Sequence, residues 1–306
     1  MPKVSVIIPT HNRAELLKSA IASVLAQTFN DFEIIVIDDH STDATPLMVN
    51  SFYDPRIKYL KNEGKNGPST ARNLGIAEAR GEYIAFLDDD DEWLPSKLEK
   101  QIGILDSCNM NVCGIYSNCL KIDKVTKETY FRRFGAETLK GNLLSQLMIK
   151  NPIHTPTLII RKACLNQIGG FDENMHYMED RDLWIRLARH WKFEYIDEPL
   201  TKVYRHENAH LSKNLQGQIQ GREILLNRYN YLFKKDKKNW SKLYVCLGAQ
   251  YCQLGKMKKG RINLLKGIVI YPFNKIAFFH FFSSLLGASI YQRIRKYYKD
   301  TQQDSN

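Results

Sequence analysis

The sequence of 306 residues lacks the glycine-rich phosphate loops and the paired cysteines that many enzymes contain. No GxGxxG follows the first apolar run and no GxxxxGK[ST] occurs anywhere, so neither a dinucleotide-type nor a Walker-type phosphate loop is supported. The six cysteines form no CxxC pair, which excludes a zinc ribbon and a thioredoxin motif. Isolated cysteines in a chain of this size indicate buried thiols in a reducing compartment.

The N-terminal segment is poor in apolar residues. MPKVSVIIPTHNR holds about five of them before polar residues follow, which is too short a run for a secretory signal peptide. We therefore expect a cytoplasmic protein.

Acidic residues are scarce in the last part of the chain. The net charge is +11, yet residues 221–306 alone hold 17 basic and 4 acidic residues, and the rest is close to neutral. Such a basic tail indicates an anionic partner, either a membrane surface or a nucleic acid. Hydrophobic residues make up 43% and charged residues 25%, which is typical of a folded chain rather than a disordered one.

The first 105 residues alternate apolar runs with segments of helical spacing. The runs are residues 4–8, 32–37, 57–60 and 83–87. Strands this uniformly apolar are buried on both faces, which predicts an α/β fold with a parallel sheet covered by helices. Three of the runs end at polar clusters, residues 9–13, 38–39 and 88–91. Because ligands bind beyond the carboxyl ends of parallel strands, we expect these clusters to converge on one crevice.

The pattern is mixed from residue 111 to about residue 204, and it is helical beyond residue 214. Strands are expected at residues 112–122, 155–160, 193–196 and 200–204, and helices at residues 139–149 and 180–190. Residues 243–255 and 259–270 resemble a helical hairpin. We therefore divide the chain into segments 1–105, 106–212 and 213–306.

The run Asp88 to Asp91 is the strongest candidate for a metal site. Four adjacent carboxylates repel one another, and a cation at the strand end would explain them. Mg²⁺ or Mn²⁺, which prefer carboxylate oxygen, would bridge a diphosphate and stabilise its charge as it leaves. The alternative is a solvated acidic turn.

Two further positions are candidates for ligand binding. Asp38 and Asp39 follow the second strand, and a carboxylate there can accept a hydrogen bond from a base or a ribose hydroxyl. We expect one of them to be structural and the other to bind the ligand. Arg72 follows a Gly-Pro turn at the start of a helix, where it can reach the base or the phosphates. A surface arginine is the alternative.

Five segments resemble the family 2 glycosyltransferases. They are VSVIIPTHNR, FEIIVIDDHSTD, NGPSTARNLGIAEARGEYIAFLDDDDEWLPSKLEKQ, GGFDENMHYMEDRDLWIRLAR and VYRHEN, and they cover about residues 1–208. The resemblance implies a GT-A fold with a mostly parallel central sheet and inverting transfer from a nucleotide sugar. It also implies that residues 1–105 bind the nucleotide sugar and that residues 106–212 bind the acceptor. The charge and helical pattern of residues 213–306 predict a basic helical extension.

The resemblance assigns roles to the strand ends. It implies that Pro9 and Thr10 line the nucleoside pocket and that Asp39 contacts the base. It also implies that Asp88 and Asp90 form the DxD pair, with Asp90 as metal ligand and Asp88 near the ribose.

The sequence departs from the family pattern at two places. His40 stands where the family often has glycine, and Asp89 stands in the middle of the DxD motif, where a small or neutral residue is usual. The extra carboxylates leave the ligand assignment within the run from Asp88 to Asp91 open.

The acceptor side contains the pair Glu179 and Asp180. Inverting transfer needs a base that takes the proton from the attacking hydroxyl. The resemblance places this base in the pair, and we favour Asp180. The alternative is that Asp180 is the N-cap of a helix, because aspartate caps helices well. Arg205 and His206 match a motif that in some relatives closes over the diphosphate or the metal, although His206 can also be a surface histidine.

The sequence thus predicts an inverting, metal-dependent glycosyltransferase of the hexosyltransferase class. The expected donor is a UDP-sugar, and the expected acceptor is a hydroxyl of a lipid-linked or surface polysaccharide. One alternative, a nucleotidyltransferase, would use a Gly-rich basic loop after the first strand, which is absent. The other is a nucleic-acid-binding protein that uses the basic tail. No recognised nucleic-acid motif supports it, so we expect no nucleic-acid partner.

The uncharged stretch 276–292 is a candidate membrane anchor. As one helix its 17 residues would span ~25 Å, which is short of the ~30 Å hydrocarbon core. Its basic flanks favour an interfacial helix on an anionic membrane, which would make the protein peripheral on the inner face of the plasma membrane. The alternative is a helix packed on the catalytic body.

Overall fold

The computed structural model describes residues 1–131, 139–206 and 214–303, with side chains as far as residue 297. The chain forms two compact units, Met1–Ala209 and His210–Asn306. The boundary expected at residues 212 and 213 lies outside the described residues.

The first unit contains a nine-stranded sheet in its described part. The strands are β1 (Val4–Thr10), β2 (Phe32–Asp38), β3 (Ile57–Lys61), β4 (Tyr83–Phe86), β5 (Glu92–Trp93), β6 (Val112–Asp123), β7 (Thr129–Phe131), β8 (Leu158–Arg161) and β9 (Lys192–Arg205). Their order is β3-β2-β1-β4-β8-β6-β9-β5, and β7 pairs with β6. The helices are α1 (Ala14–Leu25), α2 (Thr45–Asn50), α3 (Pro68–Glu78), α4 (Lys97–Ser107), α5 (Leu144–Ile149), α6 (Lys162–Ile168) and α7 (Glu179–Ala188).

The α/β fold predicted from the apolar runs is confirmed. Strands β1, β2 and β4 are buried almost throughout, as strands covered by helices on both faces must be. Strands β1 to β4 pair in parallel, and so do β6 and β9. Strand β8 enters the sheet in the opposite direction, so its pairs with β4 and β6 are antiparallel.

Three sequence predictions in the second half of this unit are corrected. The expected strand 155–160 begins with a 3-10 turn at Thr155–Thr157, and only Leu158–Arg161 joins the sheet. The expected helix 139–149 is shorter, because Gly141 adopts φ +89° and forms an isolated bridge with Phe193. The two strands expected at residues 193–196 and 200–204 are the single strand β9, whose pairing with β6 shifts register on either side of Asn118.

The second unit is helical in its described part, as predicted. Its helices are α8 (Leu215–Arg228), α9 (Asn230–Phe233), α10 (Lys237–Gln253), α11 (Met257–Ile270), α12 (Lys275–Leu285) and α13 (Ala288–Gln303). Helices α10 and α11 form the expected hairpin. They approach closely at Gly260, where an added Cβ would lie 2.2 Å from the Sγ atom of Cys252.

The prediction of one continuous helix over residues 276–292 is wrong. The chain ends α12 at Leu285 and begins α13 at Ala288, and Gly287 between them adopts φ +91°. Glycine reaches this left-handed conformation without strain, which is why it commonly ends helices. Within the described residues, no helix is both long enough and apolar enough to cross a membrane.

Candidate active site

The carboxyl ends of β1, β2 and β4 meet at one edge of the sheet. The Asp39 amide donates to the Thr10 carbonyl oxygen at 2.8 Å, and the Thr10 hydroxyl donates to Asp89 Oδ2 at 2.8 Å. Pro9 precedes Thr10 on β1. The predicted convergence of the three polar clusters is therefore confirmed.

Asp38 has the contacts of a structural carboxylate. It is buried and accepts hydrogen bonds from the Tyr59 hydroxyl and, at 2.8 Å, from the Ser41 amide. These bonds attach β2 to β3 and to the turn that leads into α2. Asp38 thus fits the structural member of the expected pair.

Asp39 stands nearer the surface and holds a loop. Its two oxygens accept from Asn62 Nδ2 at 2.6 Å and from the Gly67 amide at 2.8 Å, just before α3. The next residue, His40, adopts φ +66°, a left-handed conformation that glycine reaches most easily. The backbone conformation explains why glycine would be favoured there.

Two of the four adjacent carboxylates are tied into the fold. Asp89 is buried and accepts from Thr10 and, at 2.9 Å, from an Arg13 guanidinium nitrogen, while burial raises its pKa to about 6. Asp91 is also buried and accepts from the Tyr204 amide of β9 at 3.0 Å. These two therefore hold β1 and β9 to the acidic turn.

The other two carboxylates remain open to a ligand. The side chains of Asp88 and Asp90 are 33% and 26% exposed. Asp88 accepts from Arg72 at 2.8 Å, and Asp90 lies 3.2 Å from an Arg13 nitrogen. The two arginines offset part of the repulsion within the run, so the acidic turn does not by itself require a metal ion.

Arg72 joins the two sides of the site. It is 7% exposed, so the alternative of a surface arginine is wrong. One terminal nitrogen contacts Asp88, and the other lies 3.6 Å from Glu179 Oε1. The guanidinium carbon is 5.4 Å from the Phe171 ring centroid, and its buried Nε has no hydrogen-bond partner in the described part of the chain.

The predicted metal ligands Asp88, Asp90 and His206 do not form a closed metal site. The Nε2 atom of His206 is buried without a partner among the described residues. Burial and the Asp88 charge raise the pKa of Asp90, and Arg13 and His206 oppose this rise. The carboxylates of Asp88 and Asp90 are the ligand type that Mg²⁺ and Mn²⁺ prefer, and His206 would add an imidazole nitrogen to them. However, no three histidine, cysteine, aspartate or glutamate side chains within the described ranges are arranged to hold a cation.

Asp180 lies in the first turn of α7 without capping it. The N-cap is Met178, which makes no side-chain capping bond, so the alternative of Asp180 as N-cap is wrong. Asp180 Oδ2 accepts from Asn151 Nδ2 at 2.7 Å, and Oδ1 accepts from the Arg181 amide at 2.6 Å. Burial, with the neighbouring Glu179 charge, raises the pKa of Asp180 to about 7.

Sequence reasoning missed three features of this site. Arg13 pairs with the acidic turn, Asn151 holds Asp180, and Arg72 reaches Glu179. Arg13 follows the end of the first strand, so its position in the sequence could have indicated that it lies at the same edge of the sheet as the acidic turn. Nothing in the sequence around Asn151 indicated that it meets a residue 29 positions away.

The fold is that of the GT-A glycosyltransferases. The structure aligns with S. aureus TarS 1-349 in complex with UDP-GlcNAc with a TM-score of 0.60. The alignment covers 96% of this chain and 92% of that chain at 18% identity, a level that shows the fold alone. Residues 5–165 match the model of "Glycosyl transferase family 2", and the chain belongs to that family.

Two relatives carry functional names. The GalNAc(5)-diNAcBac-PP-undecaprenol beta-1,3-glucosyltransferase of Campylobacter jejuni is 34% identical over 281 residues, which are 87% of this chain and 87% of that protein. The UDP-Glc:alpha-D-GlcNAc-diphosphoundecaprenol beta-1,3-glucosyltransferase WfgD of Escherichia coli is 33% identical over 187 residues. That match covers 61% of this chain and 70% of WfgD.

Proposed function

We propose that this glycosyltransferase moves a sugar, with inversion, from a UDP-sugar to a hydroxyl of a lipid-linked saccharide, and that Asp180 is the general base. The observation that carries the proposal is the setting of Asp180. Asn151 and the Arg181 amide hold its two oxygens, and its pKa is raised to about 7. A carboxylate with this pKa can take a proton from a hydroxyl near neutral pH.

In the proposed step the acceptor hydroxyl oxygen bonds to the anomeric carbon while the bond from that carbon to the diphosphate breaks. The hydroxyl proton goes to Asp180, and the nucleoside diphosphate leaves with the bonding electron pair. Arg72 contacts Asp88 on the donor side and lies near Glu179 on the acceptor side. The fixed positive charge of the Arg72 guanidinium would stabilise the negative charge that develops on the leaving group.

We assign the donor nucleoside to the carboxyl ends of β1, β2 and β4. Pro9 and Thr10 would line its pocket, Asp39 would contact the base, and Asp88 would lie near the ribose. Ligands of open α/β sheets bind at this edge, and Asp39 and Asp88 keep partly exposed carboxylates there. The UDP-Glc in the name of WfgD supports a UDP-sugar as donor.

We assign a divalent cation to Asp90, Asp88 and His206. The Nε2 atom of His206, which has no partner among the residues that the structure describes, and the open carboxylates of the two aspartates support this choice. Bound Mg²⁺ or Mn²⁺ would neutralise the diphosphate. Because these side chains do not form a three-ligand cluster, the donor would complete the site.

The names of the two relatives support a lipid-linked acceptor, since both act on saccharides carried by diphosphoundecaprenol or PP-undecaprenol. We therefore propose that the enzyme works in the cytoplasm at the inner face of the plasma membrane. The basic C-terminal unit would hold it there as a peripheral protein.

A panel of nucleotide sugars tests the donor assignment. A ligand at a hundred times its Kd adds ~2.7 kcal/mol of stability to thermal unfolding. We expect this protection from a UDP-sugar with Mn²⁺ and not from the matched GDP-sugar, and we expect Asp180→Asn to be protected equally. Protection by GDP-sugars alone would refute the UDP assignment. Protection by none would refute the donor site.

A further inference from the structure

The hairpin of α10 and α11 carries an apolar groove of about 480 Å³. Two aromatic side chains of α10, Trp240 and Tyr244, line one wall, and Ile262, Leu265 and Val269 of α11 line the other. All of its lining residues belong to the second unit, and none of them is assigned to sugar transfer.

The α11 wall is exposed to an unusual degree for apolar side chains. Val269 is 78% exposed, Ile262 and Leu265 are 46% and 44% exposed, and Phe273 just beyond the helix is 81% exposed. Residues 262, 265 and 269 follow helical spacing, so they share one face. A contiguous apolar face of this kind marks an interaction site, because water solvates it poorly.

The charges around the groove indicate what covers it. Lys266 lines the groove with its ammonium 5.6 Å from the Tyr244 ring centroid. Residues 214–297 hold 16 basic and 2 acidic residues, and both acids are engaged: Glu223 accepts from Tyr251, and Asp236 caps α10. An apolar face on a cationic helical unit is typical of proteins that lie on anionic membranes.

We propose that the groove of α10 and α11 docks on an anionic phospholipid bilayer, with an acyl chain entering between Trp240 and Val269. Lys266 would meet the lipid phosphates. Docking at α10 and α11 deepens the proposed peripheral attachment, on which it rests, by naming the helices that meet the lipid.

The first test is sedimentation of the full-length protein with phosphatidylglycerol vesicles, with phosphatidylcholine vesicles as the comparison. We expect binding to the anionic vesicles and at least ~10-fold weaker binding for Val269→Asp, which puts a charge into the apolar boundary. Leu47→Asp is the matched control, because Leu47 is 76% exposed on α2 of the other unit. It should bind as wild type.

The second test detects insertion directly. Bromine atoms on the acyl chains should quench tryptophan emission in the wild type, and Trp240→Phe should remove most of that quenching from a chain with four tryptophans. The proposal is overturned if Val269→Asp binds as wild type, if quenching does not depend on Trp240, or if only Phe282→Asp of α12 releases the protein. Neither test contains donor or acceptor, so failure here is distinct from failure of the proposed transfer reaction.

Discussion

The ionisation of Asp180 should set the lower pH limit of sugar transfer. Burial and the adjacent Glu179 raise its pKa to about 7, against the opposing effects of Arg72, Arg181 and the amide bond at Oδ1. A general base acts only when deprotonated. We therefore expect kcat to be half-maximal near pH 7, to become constant above about pH 8, and to fall towards tenfold per pH unit at lower pH, so that about a tenth of the rate remains at pH 6.

Two substitutions beside Asp180 should move the acidic limb of the pH–rate profile in opposite directions. Glu179→Gln removes the like charge, which lowers the pKa of Asp180 and extends activity to lower pH. Asn151→Ala removes the 2.7 Å hydrogen bond that stabilises the carboxylate, which raises the pKa and moves the limb to higher pH. A purely structural role for Asn151 would lower activity without this shift.

The decisive variant is Asp180→Asn, which keeps the size of the side chain but cannot take the proton. Turnover should fall at least ~100-fold, and the remaining activity should no longer decrease below pH 7. Donor affinity, measured by calorimetry with Mn²⁺, should stay within about twofold of wild type. Near-normal turnover in Asp180→Asn together with a crippled Glu179→Gln would transfer the role to Glu179. Near-normal turnover in both would remove the base from this pair.

Three further predictions concern the donor edge and the core. Asp90→Ala, and EDTA on the wild type, should abolish transfer, and activity in metal-free EDTA would refute the metal assignment. Arg72→Lys should lower kcat while the near-ultraviolet circular dichroism stays native, because an ammonium cannot contact Asp88 and Glu179 at once as the guanidinium does. An unchanged kcat would exclude a role for Arg72 in transfer. Lys97 is fully buried against the neutral Gln101, and burial lowers its pKa well below the usual 10.5. In urea unfolding, the free energy of unfolding of the wild type should therefore rise by ~1.4 kcal/mol per pH unit between the folded-state pKa of Lys97 and 10.5. Lys97→Met should be more stable and should lack this dependence on pH. Equal slopes would mean that Lys97 stays charged.

The local sequence was sufficient to predict the strands and helices of residues 1–105, the half that we assign to the donor. Uniformly apolar runs can only be buried strands or helices, and their shortness and polar ends distinguished strands. The meeting of Thr10, Asp39 and Asp89 followed because parallel strands bring their carboxyl ends to one edge. The hairpin of α10 and α11 was predictable for a similar reason, since helical periodicity is local.

Contacts between distant segments decided the rest. Helical spacing placed Asp180 near a helix start, but only the folded chain shows Met178 as the N-cap and brings Asn151 to the carboxylate. The sequence could not distinguish the four adjacent aspartates. Burial against Arg13 and β9 separates Asp89 and Asp91 from the open pair, because charge compensation in a fold depends on distances that chain position does not encode.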